Sequence, residues 1–214
     1  MSRTRSLTTT SYAILGLLSV RSWTTYELAQ QMSRSLGRIW PRAESKVYEE
    51  PRKLAEHGLA QATGERVGRR PRTRYAITPK GRLALRAWLA EPGVGPVLES
   101  EQLLQVFFAH QGSREDTLAT LAATRAWAVG QNADNIAVGR AYLAGEAEFQ
   151  ATAAQNMLVG AFLTEWYRVV AQWSDWAAQI VEQWPDDPSQ AQPDLEALAQ
   201  VVLRAQWSEQ PDGP

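Results

Sequence analysis

The first ninety residues alternate between helical periodicity and short strand-like runs. In the first predicted helix, apolar and small side chains recur every three or four positions, and they are Leu7, Ser11, Ile14, Leu15 and Leu18. This spacing places them on one side of an α-helix. Because no small-residue cleavage site follows, the pattern predicts a core helix and not a signal peptide.

Two further helices are predicted next. Thr24 to Glu27 has the form of a capping box, in which a hydroxyl and a carboxylate satisfy amide groups at a helix start. This second helix would bury Leu28, Met32 and Leu36 and end at Gly37. The third would begin at Trp40 and Pro41, since proline is tolerated in the first helical turn, and would bury Val47, Pro51 and Leu54.

Pro51 is unusual in the middle of a predicted helix. Its ring removes the backbone hydrogen bond to the carbonyl of Val47, which costs about 3 kcal/mol or bends the axis. We therefore predict a kinked third helix, whose first part (residues 42–50) is exposed.

A β-hairpin and a fourth helix complete this segment. Residues 59–62 predict a short strand, residues 68–71 a turn, and residues 74–77 a returning strand with alternating side chains. Thr78 and Pro79 then supply an N-cap hydroxyl and a first-turn proline. The fourth helix would bury Leu85, Trp88 and Leu89. This order of elements predicts a winged helix-turn-helix in which the hairpin is the wing.

A proline- and glycine-rich stretch, residues 91–96, marks a domain boundary. We place one domain at residues 1–91 and a second, all-helical domain at residues 97–207. Its first helix is predicted to end near Gly112. The second should run from Ser113 to about Leu143, with a face formed by Leu118, Leu121, Ala122, Arg125 and Val129. The third should run from about 147 to 184 and the fourth from about 193 to 207. The fold class is mainly α.

The predicted helix at 147–184, the longest of the four, carries a heptad pattern. Its first apolar row continues from Val159 through Phe162, Trp166, Val169, Trp173, Trp176 and Ile180. A second row beside it contains Leu163, Tyr167, Val170, Ala177, Val181 and Trp184. Heptad spacing is typical of helices that pack at a shallow angle. Two interpretations of the first row stay open: a core and dimer seam, or a pocket for a planar or cationic small molecule.

Charge separates the two predicted domains. The net charge is −1, but residues 1–90 hold 17 lysines and arginines against six acidic residues, whereas the remainder holds five against 17. A basic part joined to an acidic part indicates that only the first meets a polyanion. The hairpin segment 64–81 alone contains six cations and one anion, Glu65.

Several chemistries have no support in the sequence. The chain has no cysteine, which excludes disulfides and thiolate chemistry and suits the reducing cytoplasm. His57 and His110 are isolated, and no metal-ligand spacing, phosphate-binding glycine loop or nucleophile with a positioned base occurs. No apolar run is long enough to span a membrane. We therefore expect no enzyme activity, no catalytic or metal site, no cofactor and no membrane partner.

Double-stranded DNA is the polyanion that this order of elements fits best, because the second helix of a helix-turn-helix enters the major groove. The candidate contacts on and beside that helix are Arg42, Ser45, Lys46, Tyr48, Arg52 and Lys53. Thr25 and Tyr26 could meet phosphates at the start of the preceding helix. The wing candidates are Arg66, Arg69, Arg70, Arg72 and Arg74, and Arg3 and Arg5 could form an arm.

The same motifs, in this order, resemble the PadR family of bacterial transcriptional regulators. They are residues 12–18 (YAILGLL), 26–28 (YEL), 40–41 (WP), 45–48 (Ser45-x-Val-Tyr), 54–59 (Leu54-x-x-x-Gly-Leu) and 68–81, whose spacing is Gly-Arg-Arg-Pro-Arg-x-x-Tyr-x-Ile-Thr-x-x-Gly. Residues 103–108 and the long helices are similar to the subfamily with a larger helical, virulence-activator-like C-terminal domain. Pro51 departs from the pattern, where many relatives carry an apolar helix former.

The resemblance implies a homodimer that binds a palindromic operator, usually near its own promoter, and often releases it when a small aromatic compound binds. It also implies DNA contacts at Ser45, Lys46, Tyr48 and the wing arginines. A repressor is the favoured form of regulator. Two other hypotheses stay open: a winged-helix adaptor whose basic face meets an acidic protein, and a small-molecule-binding protein without a DNA role.

Overall fold

The computed structural model describes residues 7–41, 44–67 and 70–206, with the backbone alone for 44–46, 66, 67, 70 and 71. The chain is mainly helical and divides into two compact units, Met1–Pro96 and Val97–Pro214. The N-terminal unit contains α1 (Thr9–Val20), β1 (Trp23–Thr24), α2 (Thr25–Gln31), α3 (Glu44–Glu56), β2 (Ala60–Val67), β3 (Arg70–Ile77) and α4 (Pro79–Leu89).

The second helix begins where the sequence predicts, whereas the first begins two residues after Leu7, which the prediction placed on its face. Thr8 and Ser11 form a capping box at α1, and Thr24 and Glu27 form one at α2. The helix after Thr24 changes to π-helical geometry from Met32 to Leu36, and Gly37 follows it. The predicted core face of α1 is confirmed for Ser11, Ile14, Leu15 and Leu18, which are buried, whereas Leu7 precedes the helix.

The third helix does not include Trp40 and Pro41 as predicted, and its described part starts at Glu44. The amides of Ile39 and Trp40 both donate to the carbonyl of Leu36, so the chain is still in a turn at residue 40. From Glu44 the helix continues without interruption through Pro51. Val47, Pro51 and Leu54 are all buried, which confirms the predicted core face. The kink at Pro51 stays a prediction.

The described strands form one antiparallel sheet in the order β1-β3-β2. The sequence did not predict β1, whose two residues are too few for a periodic signal. Both hairpin strands are longer than predicted, because the ladder from Ala60↔Ile77 extends to Val67↔Arg70. Pro71 therefore lies in a strand and not in a turn. It is tolerated because β1 pairs only with Arg74 and Tyr75, which leaves this stretch of β3 without a described neighbour on its other side.

Thr78 caps α4 as predicted, and its side chain accepts from the amide of Gly81. A Cβ atom on Gly81 would lie 2.1 Å from the carbonyl oxygen of Leu59, so only glycine permits this approach of helix to hairpin. The predicted buried side of α4 is wrong in part. Leu89 is 68% exposed, and Trp88 is partly exposed and stacks on Tyr12 with ring centroids 4.9 Å apart.

The C-terminal unit is helical throughout its described residues. It contains α5 (Glu101–Phe107), α6 (Arg114–Ala144), α7 (Ala153–Val181) and α8 (Leu195–Ala205). Short 3-10 turns occur at Ala109–Gln111, Gln150–Thr152 and Pro188–Gln190. The helix predicted at 147–184 is shorter than expected, because α7 starts at Ala153 after the 3-10 turn at Gln150–Thr152 and ends at Val181. Helix α6 ends at Ala144, close to the predicted Leu143, and Gly145 follows it in the left-handed conformation. With 31 residues, α6 is the longest described helix.

Helices α6 and α7 pack along their length through buried rows at heptad spacing. On α7 the buried residues are Leu163, Tyr167, Ser174, Ala177 and Val181. On α6 they are Thr117, Leu121, Thr124 and Ala128, which corrects the predicted face by a rotation of about one residue. Two of these four are threonines, whose hydroxyls donate to the carbonyls of Ser113 and Thr120 within the helix. A hydrophobicity pattern does not detect polar residues that satisfy themselves in this way.

Polar contacts also join α6 to α7, or to the residues just after α7, at three positions along the helix pair. Arg114 ion-pairs with Asp186 at 2.6 Å, beyond the end of α7. Arg125 bonds Asp175 at 2.7 Å, and the amide of Asn135 donates to Thr164 and to the Gly160 carbonyl. No helix among the described residues is long and apolar enough to cross a membrane.

Candidate nucleic-acid interface

The exposed side of α3 carries the described part of the predicted recognition surface. Tyr48 and Arg52 are exposed on the side opposite Val47 and Leu54, and the Arg52 guanidinium lies 3.7 Å from Glu56. Ser45 and Lys46 lie in the first turn of α3, where the structure describes only the backbone. Arg42 lies outside the described residues.

Lys53 faces carboxylates of its own helix. Its ammonium lies 3.2 Å from Glu49 and 3.6 Å from Glu50. These pairs lower the positive charge that this lysine offers to a phosphate, since part of it is already neutralised. Arg52 is therefore the stronger cation on this part of α3.

A hydrogen bond between α1 and α3 holds the recognition helix in place. The hydroxyl of Ser11 donates to the Glu50 carboxylate at 2.5 Å and accepts from the amide of Thr8 at 2.9 Å. The Glu50 side chain is mostly buried. On the other side of α1, the indole of Trp40 donates to the Thr10 hydroxyl at 3.1 Å. Helix α1 thus fixes both the segment before α3 and the middle of α3.

The start of α2 offers hydroxyl groups to a phosphate, but some of its backbone amides are already hydrogen-bonded within the capping box. Tyr26 is exposed and its hydroxyl accepts from Gln30 at 3.2 Å, while Thr25 is half-buried. The amide of Thr24 donates to the Glu27 carboxylate at 2.7 Å, and this bond lowers the pKa of Glu27, although partial burial opposes the change. The capping box occupies the amides of Thr24 and Glu27, so the phosphate contact that we predicted here would use the amides and hydroxyls of Thr25 and Tyr26.

The wing is the hairpin of β2 and β3. Arg66 and Arg70 lie near its tip, in register with Pro71 and Val67, and their side chains are not described. Arg69 lies outside the described residues. Arg72 is exposed, stands opposite Glu65 in the ladder, and forms no ion pair with any described residue. Arg66, Arg69, Arg70 and Arg72 therefore remain candidate DNA contacts, and of these four only Arg72 has a described side chain.

Arg74 differs from the other predicted wing contacts. Its guanidinium lies 2.7 Å from the Glu65 carboxylate, 3.1 Å from the Ser22 carbonyl and 3.4 Å from the Glu27 carboxylate. These three acceptors engage Nε and one terminal nitrogen of the guanidinium. The structure thus gives Arg74 contacts inside the domain, and its predicted DNA contact stays a prediction.

The first heptad row of α7 lies on the outside of the helix pair. Phe162 is 62% exposed and Val169 is exposed, whereas Trp166, Trp173, Trp176 and Ile180 are half-buried. Trp173 and Trp176 pack partly against the cluster of Leu121, Ala177 and Val181. The second row forms most of the seam with α6, and Trp173 and Trp176 of the first row add to it. The exposed side chains of the first row, Phe162 and Val169, are left for another contact.

A cavity of about 280 Å³ lies beyond the C-terminal end of the first row. Ile180, Trp184, Pro185 and Asp194 line it together with Pro193 and three glutamines. Ile180 is the one member of the first row that lines this cavity, so the predicted flat aromatic pocket has no enclosed counterpart there.

Sequence reasoning missed the contacts that join distant elements. No sequence pattern singled out Glu50 or Glu65. In the structure Glu50 accepts from Ser11, and Glu65 accepts from Arg74. Glu27 was identified through its capping box, but its second partner was not. A sequence pattern reports neighbours along one helix or strand, whereas these partners meet only once the sheet and helices have assembled.

Comparison with known proteins relates the N-terminal unit to the family that its sequence motifs resemble. Residues 14–87 match the model of the transcriptional regulator PadR-like family. A probable transcriptional regulator of Mycobacterium tuberculosis is 34% identical over 82 residues, 38% of this chain and 43% of that protein. The negative transcriptional regulator PadR of Bacillus subtilis is 28% identical over 107 residues, 49% of this chain and 59% of that protein. Each match spans less than two thirds of the relative's length.

Solved structures resemble the fold over most of the chain. Bacillus subtilis PadR in complex with operator DNA aligns with a TM-score of 0.68 at 21% identity, over 80% of this chain and 98% of that one. The same protein with p-coumaric acid gives 0.63 at 21% identity, over 81% and 98%. The Vibrio cholerae virulence activator AphA gives 0.51 at 26% identity, over 79% and 100%. Residues 14–87 of this chain therefore match the PadR-like family of transcriptional regulators, and most of the chain shares the fold of the solved PadR structures.

Proposed function

We propose that this chain is a DNA-binding transcriptional regulator, and that it acts as a repressor when its homodimer occupies a palindromic operator. The observation that carries the proposal is the arrangement of the N-terminal unit. A recognition helix with exposed Tyr48 and Arg52 is fastened to α1, and a basic hairpin stands beside it. The fold shared with an operator-bound PadR supports the same use.

In this proposal the two surfaces have separate tasks. Arg42, Ser45, Lys46, Tyr48 and Arg52 lie in or beside the major groove, where arginine is suited to guanine and hydroxyls to phosphates. The wing arginines Arg66, Arg69, Arg70 and Arg72 neutralise neighbouring phosphates, which raises affinity without selecting a sequence. Lys53 is a weaker contributor because it is paired with Glu49. Thr25 and Tyr26 are weaker because the Glu27 carboxylate lies at the same helix start.

The C-terminal unit is proposed to hold two chains together through the first row of α7. Six apolar or aromatic residues follow one outer face of that helix, and two of them are largely exposed. Heptad spacing suits a second helix packed along them. A dimer of this kind sets the distance between two recognition helices, which must match half-sites about 34 Å apart.

A small aromatic effector is the proposed signal. The indole rings of Trp166, Trp173 and Trp176 lie on the surface proposed to meet the second chain, so a planar ligand bound there would change how the two chains pack. Bacillus subtilis PadR has been solved with p-coumaric acid, which makes that compound a reasonable first probe.

The proposal is tested by binding of the purified chain to DNA upstream of its own gene, across a salt series, with random DNA of equal length as control. We expect preference for the upstream DNA. We also expect the logarithm of the binding constant to fall linearly with the logarithm of salt concentration, by about 0.9 for each phosphate neutralised. A salt-independent constant, or equal binding to both DNAs, would contradict the proposal.

A further inference from the structure

We propose that Arg74 is a positioning residue, which ties the wing to the start of α2 and fixes the direction in which the wing arginines meet DNA. The inference rests on the proposed DNA-binding function and adds to it a residue that acts without touching DNA.

The contacts of Arg74 join three parts of the N-terminal unit. Its Nε donates to Glu65 on β2, and one terminal nitrogen reaches both the Ser22 carbonyl, next to β1, and the Glu27 carboxylate in the first turn of α2. Hydrogen bonds between charged partners are about twice as strong as neutral ones. A single side chain therefore connects the hairpin to the helix-turn-helix.

The position of Arg74 in the sheet makes this connection important. The sheet has three strands only where β1 pairs with β3, at Trp23↔Tyr75 and Thr24↔Arg74. From Thr73 towards the tip, β3 has β2 as its only described neighbour. A two-stranded ribbon is marginally stable and twists readily. Arg74 lies at the point where the supported sheet becomes this free ribbon, so it controls the angle at which the ribbon leaves the domain.

The same contact decides which wing cation is offered to DNA. Glu65 stands directly opposite Arg72 in the ladder, and Arg74 is its diagonal neighbour on the same face. The structure pairs Glu65 with Arg74 at 2.7 Å, and Arg72 stays exposed. Without Arg74, Glu65 would be free to pair with Arg72 and withdraw that charge from the phosphates.

The decisive variant is Glu65→Gln, because the two explanations predict opposite signs. If Arg74 and Glu65 only contribute charge, removal of a carboxylate near the DNA tightens binding. If the pair positions the wing, its loss weakens binding. We expect Glu65→Gln and Arg74→Gln each to weaken operator binding by about threefold to tenfold, and the double variant to be no weaker than either one, as for residues that act as a unit.

Arg72→Gln is the matched control, since Arg72 lies on the same strand and face two residues away. It should weaken binding and also lower the slope of log K against log salt by about 0.9, the signature of one lost phosphate contact. Glu65→Gln should leave that slope unchanged, because it removes the carboxylate that could pair with Arg72. Amide hydrogen exchange in residues 62–65 and 72–75 should be faster in Glu65→Gln, although the rest of the unit stays protected.

Tighter binding by Glu65→Gln, or a salt slope in Glu65→Gln that falls as in Arg72→Gln, would overturn the inference while leaving the DNA-binding proposal intact. A wild-type chain with no salt-dependent DNA binding would overturn both. If Arg74→Gln does not fold, Glu65→Gln alone decides the matter, because it leaves the contacts of Arg74 with Ser22 and Glu27 in place.

Discussion

The two units of the chain use their apolar side chains in different ways. In the N-terminal unit many large ones meet one another in a core, where Ile14, Leu15, Leu28 and Leu54 are at most 1% exposed, although Leu83 and Leu89 of α4 face outward. In the C-terminal unit the buried seam between α6 and α7 consists largely of small or polar residues, while Phe162, Val169 and the apolar side of α8 face outward.

The N-terminal unit therefore buries most of its large apolar side chains within itself, whereas the C-terminal unit leaves an apolar surface exposed. The N-terminal unit has a core of its own, as a domain that must present a rigid surface needs. Contiguous exposed apolar residues on a helix mark a surface for association. The stability of the first unit should therefore be independent of protein concentration, whereas the properties of the second should depend on it.

The largest expected effect is in the core of the N-terminal unit. Leu54→Ala removes a side chain that is almost fully buried between α1, α2 and α3, and should lower the free energy of unfolding of that unit by about 2–5 kcal/mol. Urea unfolding at two protein concentrations measures this loss. The same loss should appear at both concentrations, and a loss that vanishes at the higher one would contradict a self-contained core.

The next effect concerns the outer face of α7. Val169→Glu places a charge in the proposed dimer seam and should weaken dimerisation by about tenfold or more, since a buried unpaired charge is costly. Sedimentation equilibrium measures the change. Gln172→Glu adds the same charge to the same helix outside the apolar row and should have little effect. Equal effects of both variants would show that the first row is not the seam.

A smaller effect is expected at the junction of α1 and α3. Ser11→Ala removes the donor to Glu50 and leaves a mostly buried carboxylate without it, which should cost about 1–3 kcal/mol. Thermal unfolding of the N-terminal unit reports the loss. Ser19→Ala is the control, because the Ser19 hydroxyl bonds only within α1, to the Gly16 carbonyl. If both variants lose the same stability, the link to Glu50 contributes nothing.

The smallest effect is the pH dependence from Glu27. The amide of Thr24 and then its hydroxyl and Arg74 hold the pKa of Glu27 below its usual 4.5 in the folded state. Its contribution to stability is therefore present above pH 4.5 and is lost as pH falls through the lower folded-state pKa. Unfolding of the N-terminal unit followed by circular dichroism should lose this slope in Glu27→Gln. An unchanged slope would show that Glu27 contributes no pH dependence.

The sequence predicted those parts of the molecule whose causes are local. The capping boxes at Thr24 and Ser113 and the N-cap at Thr78 all begin helices as predicted, because the residues that satisfy the amides lie within three positions. The core face of α3 was also predictable, since Val47, Pro51 and Leu54 repeat at helical spacing.

The failures have a common physical origin. The predicted face of α6 was rotated because Thr117 and Thr124 are buried with hydroxyls bonded to their own helix. The two apolar rows of α7 are both heptads, and only packing with α6 decides that Leu163 and Tyr167 face inward. The partners of Arg74 were missed because charge along a strand does not reveal partners on other elements. Each of these is set by tertiary contacts.

The central claim is that the basic unit reads a specific, symmetric DNA sequence. Selection of DNA bound by the purified full chain from a random pool, followed by sequencing, tests it most directly. The account predicts enrichment of an inverted repeat with half-sites about one helical turn apart, 10–10.5 base pairs or a multiple. Enrichment of no sequence, or of a motif without two-fold symmetry, would contradict it.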